Sequence, residues 1–175
     1  MNWRKIGLVL GSILLVGGGS ALLLGVILAL GIYAMLPERD YFCWPTFADG
    51  GMASIASDIR NHPQDVRNYV CRAGIYEGRR QFDLAIADWT RVLEIRGSDA
   101  RPYYFRGRDL ARKADYEHAL ADLDTAIRID GSYREAYLER AKVYERMGDR
   151  ENAIADYRSA SPNPEAEAAL NRLKR

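Results

Sequence analysis

The sequence ARPYYFRGRDLARKADYEHALADLDTAIRIDGSY occupies residues 100–133 and contains two segments with large and small residues at helical spacing. The positions that define this pattern are Tyr103, Gly107 and Leu110 in the first segment, then Ala119, Leu123 and Ala126 in the second. The pattern recurs 34 residues earlier and 34 residues later, as Tyr69, Ala73, Tyr76, Ala85, Trp89 and Val92 and as Tyr137, Ala141, Tyr144, Ala153, Tyr157 and Ala160. A fixed period of this length predicts a stack of two-helix units.

This period, with its slots for large and small residues, resembles the tetratricopeptide repeat, a helix–turn–helix unit that stacks into a right-handed solenoid. Three units align, over residues 66–99, 100–133 and 134–161. The resemblance implies an all-α domain at 66–161, in which small residues let the two helices of a unit approach and large residues pack between them. The recurring aromatic side chains are then core residues and not a cofactor site.

The segments on either side of the repeats are predicted to close the stack. Residues 52–60 have helical spacing and take the place of a second helix in a preceding half-repeat, after a turn at 49–51. Residues 162–175 are expected to form a C-terminal capping helix that begins at Pro164, with Asn163 as its N-cap. Between units, Gly97 and Gly131 stand where the family carries Pro, and we expect left-handed helix caps there.

One departure from the family pattern is present in all three units. The seventh place, usually apolar, is Arg, and an Asp follows sixteen residues later; the residues are Arg72 and Asp88, Arg106 and Asp122, and Arg140 and Asp156. An unpaired buried cation is costly. We therefore predict one Arg–Asp ion pair in each repeat, with solvated, unpaired side chains as the alternative.

The beginning of the chain predicts a single membrane-spanning helix. Residues 6–36 are 31 consecutive residues without a charge, after a short N-terminal stub at 1–5. A span needs about 20 apolar residues, whereas the apolar core of a signal peptide has about 7–15. The run is too long for a signal peptide and too short for two antiparallel spans.

Small residues recur along this segment at intervals that suit helix packing. The candidate contact residues are Gly7, Gly11, Gly18, Ala21, Gly25 and Ala29. Such spacing lets a second helix approach closely inside a bilayer. We predict contact with another membrane protein here, although glycine is also generally common in membrane helices.

Charges on either side of the span predict its orientation. Arg4 and Lys5 precede it and are the only charged residues before Glu38. The positive-inside rule keeps the N-terminus cytoplasmic and exports the repeats, in a bacterium to the periplasm side of the inner membrane. The neck that follows, at 37–65, contains Tyr41, Phe42, Trp44 and Phe47, which either lie among lipid headgroups or dock on protein. Cys43 and Cys71 form a disulfide in an exported domain or remain two unlinked thiols.

The resemblance also implies where a partner binds, because the first helices of successive repeats line a groove in this family. The residues expected there are Arg67, Val70, Arg101, Tyr104, Arg108, Arg112, Leu138, Lys142 and Arg146. Val70, Tyr104 and Leu138 are predicted to form an apolar row flanked by charges, suited to a peptide with apolar anchors and an acidic segment. The alternative is a solvated face without a ligand. The carboxylate clamp of some family members lacks its residues here, since Val70 and Gly74 stand in its first-repeat places.

The sequence predicts a non-enzymatic function. No nucleophile–base arrangement is visible, the two histidines are far apart, and no cofactor, metal or nucleic-acid site is expected. We expect a membrane-anchored scaffold that organises, assembles or stabilises a membrane protein complex through its span and its groove. A periplasmic chaperone that holds clients and a permanent structural subunit of a membrane complex are the alternatives.

Overall fold

The structure, a computed structural model, describes residues 48–173, which contain α-helices and their connections. The helices in this range are α1 Ala48–Asn61, α2 Val66–Gly78, α3 Phe82–Ile95, α4 Ala100–Arg112, α5 Tyr116–Ile129, α6 Arg134–Met147, α7 Arg150–Ser159 and α8 Pro164–Leu173. The pairs α2–α3, α4–α5 and α6–α7 correspond to the three predicted repeats, so the all-α repeat prediction is confirmed for the described residues. Each helix packs on the next along the chain, and α4 also contacts α6.

Side-chain caps fix where several helices begin. Asp65 and Asp99 occupy equivalent places before α2 and α4, and each carboxylate accepts a 3.0 Å hydrogen bond from the backbone N–H two residues later. Asn163 caps α8 as predicted, since its Oδ1 accepts from the N–H groups of Glu165 at 2.9 Å and Ala166 at 3.3 Å. These bonds satisfy backbone donors that have no partner inside the helix.

The predicted slots for small residues are among the most deeply buried places in the repeats. Ala73, Ala85, Ala119, Ala141 and Ala153 are all 0% exposed. Gly107 shows why small residues are needed, because a Cβ there would lie 3.0 Å from Cγ of Leu123 and 3.1 Å from the carbonyl oxygen of Ala119. The bulky partners on the second helices, Trp89, Leu123 and Tyr157, are at most 2% exposed. Close helix approach at the small residues therefore builds the core, as predicted.

In each repeat, the turn between the two helices contains one residue with a left-handed backbone conformation. Arg80, Ala114 and Gly148 are spaced by 34 residues and have φ of 59°, 63° and 81°. The predicted left-handed caps at Gly97 and Gly131 are wrong, because neither glycine has a positive φ. Helices α3 and α5 end at residues with φ of −138° and −129°, which do not require glycine.

Helix α1 begins earlier than the sequence suggested. The predicted turn at 49–51 is wrong, because these residues lie in the first turn of the helix, which begins at Ala48. Helix α1 packs against α2, and its Ile55 is 5% exposed.

Several sequence predictions concern residues before α1. The apolar segment 6–36 with its small residues, the stub 1–5 and the neck aromatics lie outside the described residues. Within 48–173, no helix is both long enough and apolar enough to cross a bilayer. Cys71 on α2 is disulfide-bonded. Cys43, with which the sequence analysis considered a disulfide, lies outside the described residues.

Candidate functional site: the face of the first helices

The first helices of the three repeats, α2, α4 and α6, present equivalent residues at intervals of 34. The fifth places hold Val70, Tyr104 and Leu138, which are 6%, 9% and 7% exposed. The ring of Tyr104 lies 5.0 Å from the rings of Phe105 and Tyr133, and Leu138 belongs to a core cluster that includes residues of α8. The predicted apolar row is therefore mostly internal packing. Little of these side chains is exposed, and their contact with a partner stays a prediction.

Charged residues on this face link the first repeat to the second. Glu77, near the end of α2, forms an ion pair with Arg108 of α4, and its Oε2 lies 3.5 Å from Nη1 of Arg112. Its other oxygen, Oε1, accepts a 3.2 Å hydrogen bond from Nε1 of Trp89. The guanidinium of Arg108 also lies 4.8 Å from the centre of the Phe105 ring. Glu77 thus joins three side chains from both repeats.

Asp109 is a buried carboxylate that the sequence analysis did not single out. It is 0% exposed, its Oδ1 lies 3.0 Å from Nη1 of Arg112, and its Oδ2 has no hydrogen-bond partner among the described residues. Burial, followed by the charge of Glu77, raises the pKa of Asp109 to about 7. A signal was present in the sequence, because the equivalent places in the other repeats hold the apolar Ile75 and Val143.

A cavity of about 570 Å³ opens at the ends of the first helices. Its lining consists of Gly74, Glu77, Gly78, Arg80, Phe82, Arg112 and Arg146. A Cβ added to Gly74 or Gly78 would meet no atom within 4 Å. The guanidinium of Arg112 lies 5.6 Å from the centre of the Phe82 ring, so one wall is apolar and the rest is largely cationic.

Three of the other cations predicted in the groove, Arg67, Arg101 and Lys142, are paired with nearby carboxylates. Arg67 and Arg101 pair at 2.5 and 2.8 Å with the aspartates that cap their own helices. Nζ of Lys142 lies 2.9 Å from carboxylate oxygens of both Glu139 and Glu165. Arg146 differs, since it donates at 3.3 Å to the backbone carbonyl of Ala111. Positive charge available to a ligand is therefore concentrated at the cavity.

The structure brings each expected Arg–Asp pair together. Nε donates to Oδ2 at 2.8, 2.7 and 2.7 Å in the first, second and third repeats. In each pair Nη2 also donates to Oδ1, which gives the two-pronged arrangement typical of strong Arg–carboxylate pairs. The hydrogen bond to Asp122 raises the pKa of Arg106. The same arginines also reach back to the preceding repeat, Arg106 to Thr90 at 3.2 Å and Arg140 to Asp124 at 2.5 Å.

The histidines lie away from this face. The side chain of His118 is 74% exposed, and its Nδ1 lies 2.8 Å from Oδ1 of Asp115, which raises the pKa of the imidazole. His62 is exposed in the turn before α2. Within 48–173, no group of three or more His, Cys, Asp and Glu side chains could hold a metal ion.

Comparisons with known proteins agree with this architecture. Residues 135–161 match the family model described as tetratricopeptide repeat, and no curated protein matches the chain. Among solved structures, MamA is 22% identical, with 71% of this chain and 75% of that chain covered and a TM-score of 0.66. The Arabidopsis OM64 TPR domain is 23% identical, with 71% and 98% covered and a TM-score of 0.57.

A third similar structure contains a bound peptide. The first TPR of Spaghetti (RPAP3), solved with the HSP90 peptide SRMEEVD, is 21% identical, with 59% of this chain and 85% of that chain covered and a TM-score of 0.57. At these identities the likeness establishes the fold, a tetratricopeptide-type α-solenoid.

Proposed function

We propose that this chain is a membrane-anchored protein-interaction scaffold that holds a protein segment on the face of α2, α4 and α6. The observation that carries the proposal is the open cationic cavity of about 570 Å³ at the ends of these helices. Tetratricopeptide solenoids are typically non-enzymatic scaffolds, and the similar Spaghetti domain has a peptide bound. The scaffold would organise, assemble or stabilise a membrane protein complex.

The anchoring part of the proposal rests on the N-terminal sequence. The uncharged run at 6–36 is long enough to span a bilayer, and the spacing of Gly18, Ala21 and Gly25 suits contact with another membrane helix. Arg4 and Lys5 favour a cytoplasmic N-terminus with the repeats in the bacterial periplasm. The disulfide at Cys71 is consistent with that oxidising compartment.

Quantitative purification tests the proposal directly. Full-length protein would be isolated from membranes in mild detergent, with co-purifying proteins identified and counted by mass spectrometry. A reproducible membrane protein partner supports the scaffold. A mixed, substoichiometric set of clients would favour the chaperone alternative, and the absence of any retained protein would contradict both.

Two variants separate the two proposed contacts. Substituting Leu for Gly18 and Gly25 is expected to release a partner held by the membrane helix, because the bulkier side chains prevent close approach. Substituting Glu for Arg146 is expected to release a partner held by the cationic cavity. Tyr104 and Leu138 are unsuitable for this purpose, since a charge at either buried position would disrupt the core.

A further inference from the structure

We infer that the cavity beside Gly74 and Gly78 is a subsite for an acidic side chain of a bound protein segment. The inference rests on the proposed function and specifies where and by what chemistry the partner is recognised. It is carried by three observations: two helical glycines that packing does not require, an excess of guanidinium groups, and an apolar wall at Phe82.

The two glycines create the space. Gly74 and Gly78 lie one turn apart on α2, at the places held by Arg108 and Arg112 in the second repeat and by Lys142 and Arg146 in the third. Glycine is unfavourable in a helix, and neither position has an atom within 4 Å of a built Cβ. Gly107, which no side chain could replace without a clash, is the contrasting case. The first repeat therefore leaves a gap in a row of long side chains.

The charges around the gap select an anion. Arg80, Arg112 and Arg146 line the cavity with a single carboxylate, Glu77. That carboxylate already accepts from Arg108, Trp89 and, at 3.5 Å, Arg112. Arg112 is also paired with Asp109 at 3.0 Å. Among the described residues Arg80 has no ion pair, and Arg146 bonds only to a backbone carbonyl. A carboxylate entering the cavity would gain charge-assisted hydrogen bonds from groups that are otherwise solvated.

The apolar wall favours a side chain with methylene groups over a small inorganic anion. The Phe82 ring lies beneath the Arg112 guanidinium at 5.6 Å and offers a surface for the aliphatic part of Glu. We therefore expect an acidic protein segment, with Glu or Asp in the cavity and its main chain crossing close to α2 at the glycines.

The test uses full-length protein in mild detergent and an array of short capped peptides. Each peptide that contains Glu or Asp is matched by one with Gln or Asn, and binding is measured by fluorescence anisotropy. Selective binding of acidic peptides that weakens with added salt is expected. Inorganic phosphate is the competing probe, and displacement of the peptides by phosphate at equal concentration would contradict a side-chain subsite.

Variants locate the site without leaving a buried charge unpaired. Changing Arg80 and Arg146 to Gln together is expected to lower the affinity for the acidic peptides about tenfold or more. Arg158→Gln, at an exposed place on α7, should leave that affinity unchanged. Gly78→Leu should also weaken binding, by filling the cavity while all the arginines remain. Circular dichroism and thermal unfolding check that each variant is folded.

The outcomes distinguish this inference from the proposed function. If wild-type protein binds peptides but the cavity variants bind equally well, the subsite is wrong and binding elsewhere on the face survives. Equal binding of acidic and neutral peptides also rejects the subsite. If the wild-type protein binds no peptide but retains a membrane partner through its apolar segment, both the cavity and the groove are excluded and only the anchoring contact remains.

Discussion

At the scale of single residues, each repeat has an arginine in a place where tetratricopeptide repeats usually have an apolar residue. The guanidinium lies between two helices and is held by an aspartate with two hydrogen bonds. The side chains of Arg106 and Asp122 are 23% and 10% exposed, so solvent screens this pair less than a surface ion pair. Removing one partner therefore leaves a poorly solvated charge.

Asp122→Asn is expected to lower the free energy of unfolding by about 2 kcal/mol, because the amide keeps one acceptor oxygen but no negative charge. The hydroxyl of Thr90, which also accepts from Arg106 at 3.2 Å, is neutral as well. Asp156→Asn should cost less, because Arg140 keeps Asp124 at 2.5 Å. Urea denaturation followed by circular dichroism measures both. The double variant with Asp124→Asn and Asp156→Asn should lose as much unfolding free energy as Asp122→Asn. Equal losses for the single variants Asp122→Asn and Asp156→Asn would contradict this explanation.

The buried Asp109 predicts a pH dependence of stability. Its ordinary pKa of 3.8 is raised to about 7 in the folded protein, so the folded state binds this proton more tightly than the unfolded chain. The resulting stabilisation is present below about pH 4 and is lost as the pH rises towards 7. Stability should thus fall across this interval, by at most about 1.4 kcal/mol per pH unit from this group.

Asp109→Asn is expected to remove that fall and to raise the unfolding midpoint at pH values above 7, since the neutral amide carries no buried charge. Thermal unfolding between pH 5 and pH 8 provides the measurement. Asp83→Asn is the control, because the Asp83 side chain is 78% exposed. A wild-type profile that rises through this interval and is unchanged in Asp109→Asn would reject the assignment.

At the scale of helices and turns, the turn between the two helices of a repeat has the same backbone conformation in all three repeats. The N–H groups of Gln81, Asp115 and Asp149 donate to carbonyls five residues back at 2.9, 3.0 and 2.9 Å, around a left-handed residue. This is the Schellman arrangement that ends many helices, in which glycine is preferred at the left-handed place. Only the third repeat has glycine there; Arg80 and Ala114 adopt the same conformation at a cost.

Reciprocal substitutions test this interpretation of the turns. Ala114→Gly is expected to raise the free energy of unfolding by about 0.5 kcal/mol, because glycine relieves the left-handed strain of the folded state. The greater conformational entropy that glycine gives the unfolded chain offsets part of this gain. Gly148→Ala is expected to lower it by about 1 kcal/mol, although no atom lies within 4 Å of the added Cβ. Changes of the same sign in chemical denaturation would show that φ does not control these positions.

At the scale of the described domain, each helical pair contacts its neighbours and little else, so stability is expected to be local. Two core clusters reflect this arrangement. One is built mainly from the second repeat, and the other joins the third repeat to α8 through residues such as Tyr157 and Leu170. Helix α8 therefore closes the stack by covering the last pair of helices.

Leu170→Ala is expected to destabilise the third repeat by about 2–3 kcal/mol, because it removes a side chain that is 9% exposed and packed in that cluster. Hydrogen exchange should accelerate in α6, α7 and α8 while α2 and α3 remain protected. Asn171→Ala, on the exposed side of the same helix, is the control. Uniform acceleration across the domain would contradict local stability.

Residue spacing along the chain is enough to predict the helical pairs, their core and their internal ion pairs. The ion pairs join residues sixteen positions apart, and the two helices of a pair lie within one repeat. Their relative placement therefore follows from the helical period and one short turn. The 34-residue repetition supplied three copies of the same pattern, so that Gly107 and the buried alanines could be recognised as packing positions. Asn163 and Pro164 likewise have local signals that fix the start of α8.

The stacking of the repeats controls which residues of the first-helix face remain available to a partner. Stacking buries Tyr104 and Leu138, and it brings Glu77 to Arg108 and Arg112, which are 31 and 35 residues away along the chain. It also buries Asp109 completely and opens the cavity at Gly74 and Gly78. These outcomes depend on the distance and rotation between neighbouring repeats, which residue spacing within one repeat does not specify.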